Sequence, residues 1–176
     1  MTDSIAVLTD FIGRIRDEGG RVCDGLDDEL ARYQAAPATN TICWLLWHTA
    51  RGLDAQLHDV LGGDQLWADE WAERLGLPLP DSRLGAGATG YGQRPEDVIH
   101  VVAPVQDLRA YLEAACEDAA ALVGALDQAD LDRVVDDSYT PPVTLSVRIV
   151  SIITDCLQHL GQAGFLRGIA ERAAAE

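Results

Sequence analysis

Ile42-Cys43-Trp44-Leu45-Leu46-Trp47-His48-Thr49-Ala50-Arg51 is the stretch whose reading decides the fold. It follows Thr39-Asn40, residues that favour a helix N-cap, and it leads into an apolar series at Ile42, Leu45, Leu46, Ala50, Leu53 and Leu57. That spacing of three and four is the period of an amphipathic helix. Gly62-Gly63 then supplies the stop, because glycine accepts the left-handed backbone that ends helices. One polar ring, His48, is set inside this otherwise apolar run.

Three further segments share the period. Residues 4–25 carry Ile5, Leu8, Ile12 and Ile15, and a short helical turn near residues 27–33 follows. Residues 104–126 open on Pro104, which suits a first helical turn, and carry Val105, Leu108, Leu112, Ala115, Ala119, Leu122 and Leu126. The last segment starts after Pro141-Pro142 with Thr144 as cap and reaches about Arg172. No long run alternates with period two. The expectation is an all-α four-helix bundle in one domain spanning residues 1–176, with a long crossover, 62–103, between helices two and three. The crossover holds Trp67, Trp71 and Tyr91, and residues 69–75 and 95–102 are expected to form short helices within it.

Composition narrows the function classes. The net charge is −16, from 29 acidic and 13 basic residues, so phosphate backbones and anionic lipid are repelled. Neither nucleic acid nor membrane is an expected partner. No basic region precedes an apolar run at the N-terminus, which makes the cytoplasm the expected location. Cys23, Cys43, Cys116 and Cys156 are scattered without a C-x-x-C pair, so they are expected to be small buried hydrophobes. Phe165, Leu166 and Ile169 extend the apolar series late in helix four, which predicts a homodimer unless they pack on helix one.

The chemistry concentrates at Asp155-Cys156-Leu157-Gln158-His159. Asp155 and His159 are four apart, so on a helix they project from one face, one turn above the other. Such a pair can chelate one ion, or it can be no more than a charge-assisted hydrogen bond. With His48 the set is two nitrogens and one oxygen, a donor set for zinc that also suits nickel or iron(II). Standing alone, a histidine among apolar residues, like His48, is more often a satisfied core histidine. His58, flanked by Gln56 and Asp59, is expected to face solvent, and the partner of His100 cannot be named. Arg51 and Arg148 are within reach of the same faces. They can hold a substrate carboxylate, or pair with Asp54 and with Asp136 or Asp137 respectively. Gln158 and Gln162 can orient His159 or a metal-bound water, Gln162 can also meet a substrate, Tyr91 and Tyr139 can close the mouth, and Trp44 and Trp47 cannot both face an ion.

Taken together, the Trp44–His48 run and the stretch from Pro141-Pro142-Val143-Thr144 through His159-Leu160-Gly161-Gln162 resemble helices two and four of the DinB/YfiT-like superfamily. The likeness covers nearly the whole chain. It points to the subgroup related to mycothiol-dependent maleylpyruvate isomerase and similar thiol-dependent enzymes. The resemblance implies a divalent metal ion on His48, Asp155 and His159 and a mycothiol-type thiol as cosubstrate, with bacillithiol the alternative thiol. The commonest superfamily pattern has His at the position of Asp155, and acidic ligands occur there in the thiol-dependent subgroup. The implied activity is S-transfer or isomerisation with a metal-activated thiol. A metal-dependent hydrolase and a non-catalytic, stress-related metal-binding bundle are the competing readings.

Overall fold

The computed structural model describes residues 3–77 and 88–175. Four long helices form the bundle: α1 (Ser4–Cys23), α2 (Ile42–Leu61), α4 (Val105–Gly124) and α6 (Leu145–Ala174). Between them lie a 3-10 turn at Leu30–Arg32, a wide helical turn at Trp67–Trp71 that runs into α3 (Ala72–Leu75), and a 3-10 segment at Pro95–His100. A short helix, α5 (Gln128–Leu131), precedes a minimal antiparallel ladder of β1 (Val134–Asp136) with β2 (Val143–Thr144). The fold is the expected all-α bundle. Both short crossover helices form, and residues 78–87 of the crossover lie outside the described residues.

The helix starts follow from side chains that satisfy otherwise unpaired backbone N–H groups. The Asp3 carboxylate accepts from the Ile5 N–H, and the Thr144 hydroxyl caps α6. For α2 the cap is Thr41, one residue after the expected pair. Its hydroxyl accepts from the Trp44 N–H at 3.0 Å while Thr39 bonds within the preceding turn. Pro104 likewise stands just before α4 instead of inside its first turn. Gly62, at φ +85°, ends α2 as expected.

Helices α1 and α6 run parallel, with Gly19 near Leu160 and Val22 near Gly164. Helices α2 and α4 also run parallel, with Arg51 meeting Tyr111 and His58 meeting Asp118. The two pairs are antiparallel to each other, and each helix packs on its parallel mate and on one helix of the other pair: α1 on α6 and α4, and α2 on α4 and α6. Gly19 makes the α1–α4 approach possible, since a methyl group there would stand 2.2 Å from Leu112 Cδ2. Helix α2 is the most enclosed: residues 42–54 are buried without a break, because the crossover covers the face that the bundle leaves open. A polar residue on α2 is therefore either partnered inside the protein or directed at a cleft.

All four cysteines are free and buried. Burial pushes the Cys23 and Cys43 thiols up to about 11 and Cys116 up to about 12, and it raises Cys156 as well. They are packed as thiols at neutral pH, in line with the sequence expectation. No helix among the described residues is long and apolar enough to cross a membrane.

Candidate metal centre

His48 comes from the middle of α2, and Asp155 and His159 come from α6, which runs antiparallel against it. One ligand atom of each lies within 4.8 Å of the others. The rings of His48 and His159 are 4.7 Å apart between centroids and nearly perpendicular, at 76°. His159 Nε2 stands 3.4 Å from an Asp155 carboxylate oxygen. The convergence expected from sequence is therefore present.

Each imidazole is tied through its other nitrogen. His48 Nδ1 donates to the Thr89 carbonyl. His159 Nδ1 meets the Gln162 side-chain oxygen at 3.3 Å. A carbonyl oxygen only accepts, so both bonds put the proton on Nδ1 and leave Nε2 with a free lone pair. This is the outer-shell arrangement that orients imidazoles for a metal. Burial, ahead of the opposing pull of the Thr89 carbonyl, lowers the His48 pKa below the ordinary histidine value. His48 is thus neutral at pH 7, with its nitrogen available. The side chains of His159 and Asp155 are 17% and 48% exposed, so two of the three groups border solvent. Two imidazole nitrogens and one carboxylate oxygen, converging at the rim of an open cleft, fit a divalent ion of the zinc type with coordination positions left over.

The cleft has a volume of about 660 Å³ and is lined by His48, Gly52, Gln56, Thr89, Tyr91, Ser151, Asp155 and His159. Its walls follow from helical periodicity. Gly52 and Gln56 lie four and eight residues after His48, and Ser151 lies four before Asp155, so each shares the ligand face of its helix. The sequence reading passed over these three although the same periodicity could have found them. Thr89 lies across the crossover, and no local pattern marks it. Trp44 stacks on His48 at 4.4 Å and meets His159 edge-on, while Trp47 is fully buried against Trp67. One tryptophan therefore faces the site and the other serves the core.

The structure decides between alternatives that the sequence left open, with the Arg51–Asp54 and Arg148–Asp136 pairings and the Gln162–His159 contact present, and it corrects the expectation for His58. Arg51 is fully buried and cannot meet a substrate, since its guanidinium is bonded to Asp54 at 3.1 Å and to other interior groups. Arg148 is bonded to Asp136 at 3.3 Å and is not among the residues that line the cleft. Gln162 is engaged with His159 in place of a substrate, and Gln158 is exposed. His58 is buried, donating from Nδ1 to the Asp54 carbonyl at 2.9 Å. Tyr91 lines the cleft with 93% exposure, whereas Tyr139 is an exposed residue outside the lining.

Comparison with known proteins assigns the chain to a family. The chain matches the family described as Mycothiol-S-transferase over residues 7–171. A conserved protein from Enterococcus faecalis of known crystal structure superposes with a TM-score of 0.84 at 30% identity, covering 95% of this chain and 96% of that one. No curated protein matches. Since the matched span covers nearly the whole chain, the chain belongs to the mycothiol-S-transferase family, a DinB/YfiT-like group.

Proposed function

We propose that this protein is a metal-dependent S-transferase that binds one divalent ion through His48, Asp155 and His159 and joins a mycothiol-type thiol to an electrophile. The observation that carries the reading is the convergence of the three ligand atoms, within 4.8 Å, at the rim of an open cleft of about 660 Å³. A closed, fully protein-ligated site would instead suit structure or storage. Zinc is the proposed ion, with nickel and iron(II) served by the same donors. When bound, the ion supplies Lewis acidity that favours the thiolate over the thiol at neutral pH.

The chain's own groups hold and orient. Thr89 and Gln162 fix the two imidazoles in the tautomer that leaves Nε2 free. Trp44 covers one face of His48 and limits water on that side. Ser151, Gln56 and Tyr91 offer hydroxyl and amide groups to a polar cosubstrate in the cleft. A protein nucleophile is unnecessary, which agrees with four cysteines held as buried thiols. In the overall reaction the thiol gives its proton to solvent, its sulfur bonds to the electrophilic carbon, and the leaving group departs with its electron pair.

Metal analysis of the purified protein combined with turnover of a chloronitroarene tests this. The expected result is one ion per chain and chloride release that requires the thiol, is lost on chelation and returns with added metal. Turnover of hydrolysable esters without thiol would turn the reading to a hydrolase, and a protein that binds none of zinc, nickel or iron(II) would end it. A homodimer is proposed alongside. Leu166 is buried and Ile169 half-buried within one chain, so this rests on the exposed ring of Phe165. Light scattering that gives a monomer mass at micromolar concentration would overturn it.

A further inference from the structure

Arg51 lies three residues beyond His48 on α2, nearly one turn along. Its buried guanidinium is bonded on every nitrogen. Nη1 donates to Asp54 at 3.1 Å and to the Tyr111 hydroxyl at 3.3 Å, and Nη2 donates to the Gln65 side-chain oxygen at 3.1 Å. Nε donates to the Ala88 carbonyl at 3.0 Å. The next residue, Thr89, supplies the carbonyl that accepts from His48 Nδ1. After it Gly90, at φ +90°, lies so close that a methyl group there would stand 3.0 Å from His48 Nδ1, 3.0 Å from Trp44 and 3.1 Å from Trp47. Residues 88–90 thus form a short backbone arm. Arg51 holds one end, and the other rests on His48 and on the tryptophan stacked against it.

We propose that this arm, with Arg51 as its anchor, positions His48 for metal binding, so that Arg51 acts on the centre without touching it. The proposal rests on the metal-centre reading above. The Thr89 carbonyl is the group that keeps the His48 proton on Nδ1, and it has no fixed place unless its own chain segment is held. Loss of an outer-shell partner of a ligating histidine typically costs about 10–100-fold in affinity. The competing view is that Arg51 merely neutralises buried Asp54. Lysine separates the two, because a point charge can stay beside Asp54 but lacks the planar fork that also reaches Ala88.

The experiment uses the full chain in four forms: unaltered, Arg51→Lys, Gly90→Ala and Gly92→Ala. Gly92 is the control, since it has φ +70° and open space around it, so alanine brings similar backbone strain without pressing on His48. Zinc affinity is measured by competition with a chromophoric chelator, and the His48 ring tautomer by nitrogen-15 NMR on metal-free protein. Arg51→Lys and Gly90→Ala are expected to weaken zinc binding about 10–100-fold and to move His48 from the Nδ1–H form towards a mixture. Gly92→Ala should match the unaltered protein in both readouts. The proposal is overturned if either of the first two variants, folded, keeps the original affinity and tautomer, or if Gly92→Ala weakens binding as much as Gly90→Ala. If Arg51→Lys fails to fold, the paired replacement Arg51→Met with Asp54→Leu removes both charges and the Ala88 bond together, and the same criteria apply. If the unaltered protein binds none of zinc, nickel or iron(II), the metal reading fails by itself, and the ring tautomer still decides whether the arm positions His48.

Discussion

Replacing His159 by Ala is expected to reduce divalent-metal affinity by more than about 100-fold, beyond the usual cost of losing an outer-shell partner, while leaving a helical bundle. One of three ligand atoms disappears, and the remaining pair, His48 and Asp155, comes from different helices with no chelate turn between them. The fold should tolerate the change. The His159 side chain is partly exposed, and its contacts are an edge-on meeting with Trp44, the His48 ring, the Gln162 amide and the Asp155 carboxylate. A substitution of that kind shifts stability by at most about 1 kcal/mol in the metal-free protein. Gln162→Ala should fall in between, since it frees the imidazole without deleting it. Equilibrium titration of the metal-free proteins, with circular dichroism as the folding check, reads all three. Binding by His159→Ala at the original affinity would show that the convergent cluster is not the metal site.

That cluster was legible in the sequence, but spacing was not what made it so. Asp54 and His58 have the same D-x-x-x-H spacing as Asp155 and His159, and both pairs lie on helices. One is buried between α2 and α4, where its groups bond to backbone and to Tyr111; the other opens on a cleft opposite a second histidine. Helical geometry makes the pairs equivalent, and only the third dimension separates them. The resemblance carried by the Trp44–His48 run and the closing helix is what favoured the second pair.

The four long helices were readable from periodicity because each buries one continuous stripe. What escaped was set by the crossover. It encloses α2 on the side that a plain bundle would leave to solvent, and this turned His58 inward and drew Arg51 into the core. Thr89 and Gly90 reach His48 from 41 and 42 positions away, a distance at which no periodic signal connects residues. The polar face of α2 was therefore visible in sequence, but not what it meets.

Asp54→Asn is expected to destabilise the protein by about 3–5 kcal/mol, the cost of leaving one member of a buried ion pair uncompensated. Asp54 is fully enclosed and only accepts. Its Oδ1 takes the Leu66 N–H at 3.0 Å and lies 3.2 Å from His58 Nδ1. Its Oδ2 takes the Trp67 N–H at 3.0 Å, the Tyr111 hydroxyl at 2.7 Å and Arg51 at 3.1 Å. Burial raises the Tyr111 pKa, which keeps the phenol protonated as a donor. Asparagine must place an NH2 group at one of the two oxygen positions. Either way it meets donors, and Arg51 keeps its buried charge without a counter-ion. At about 2–4 °C per kcal/mol for a chain of this size, the unfolding midpoint should fall by roughly 6–20 °C. Because Leu66 and Trp67 begin the crossover, the loss should also loosen the segment that covers α2. A double replacement of Arg51 by Met and Asp54 by Leu should cost less than the sum of the two single changes, since no lone charge is left inside. Urea unfolding of the metal-free proteins measures each change, and an Asp54→Asn unfolding free energy within about 1 kcal/mol of the original would mean that the pair is not what holds the crossover to α2.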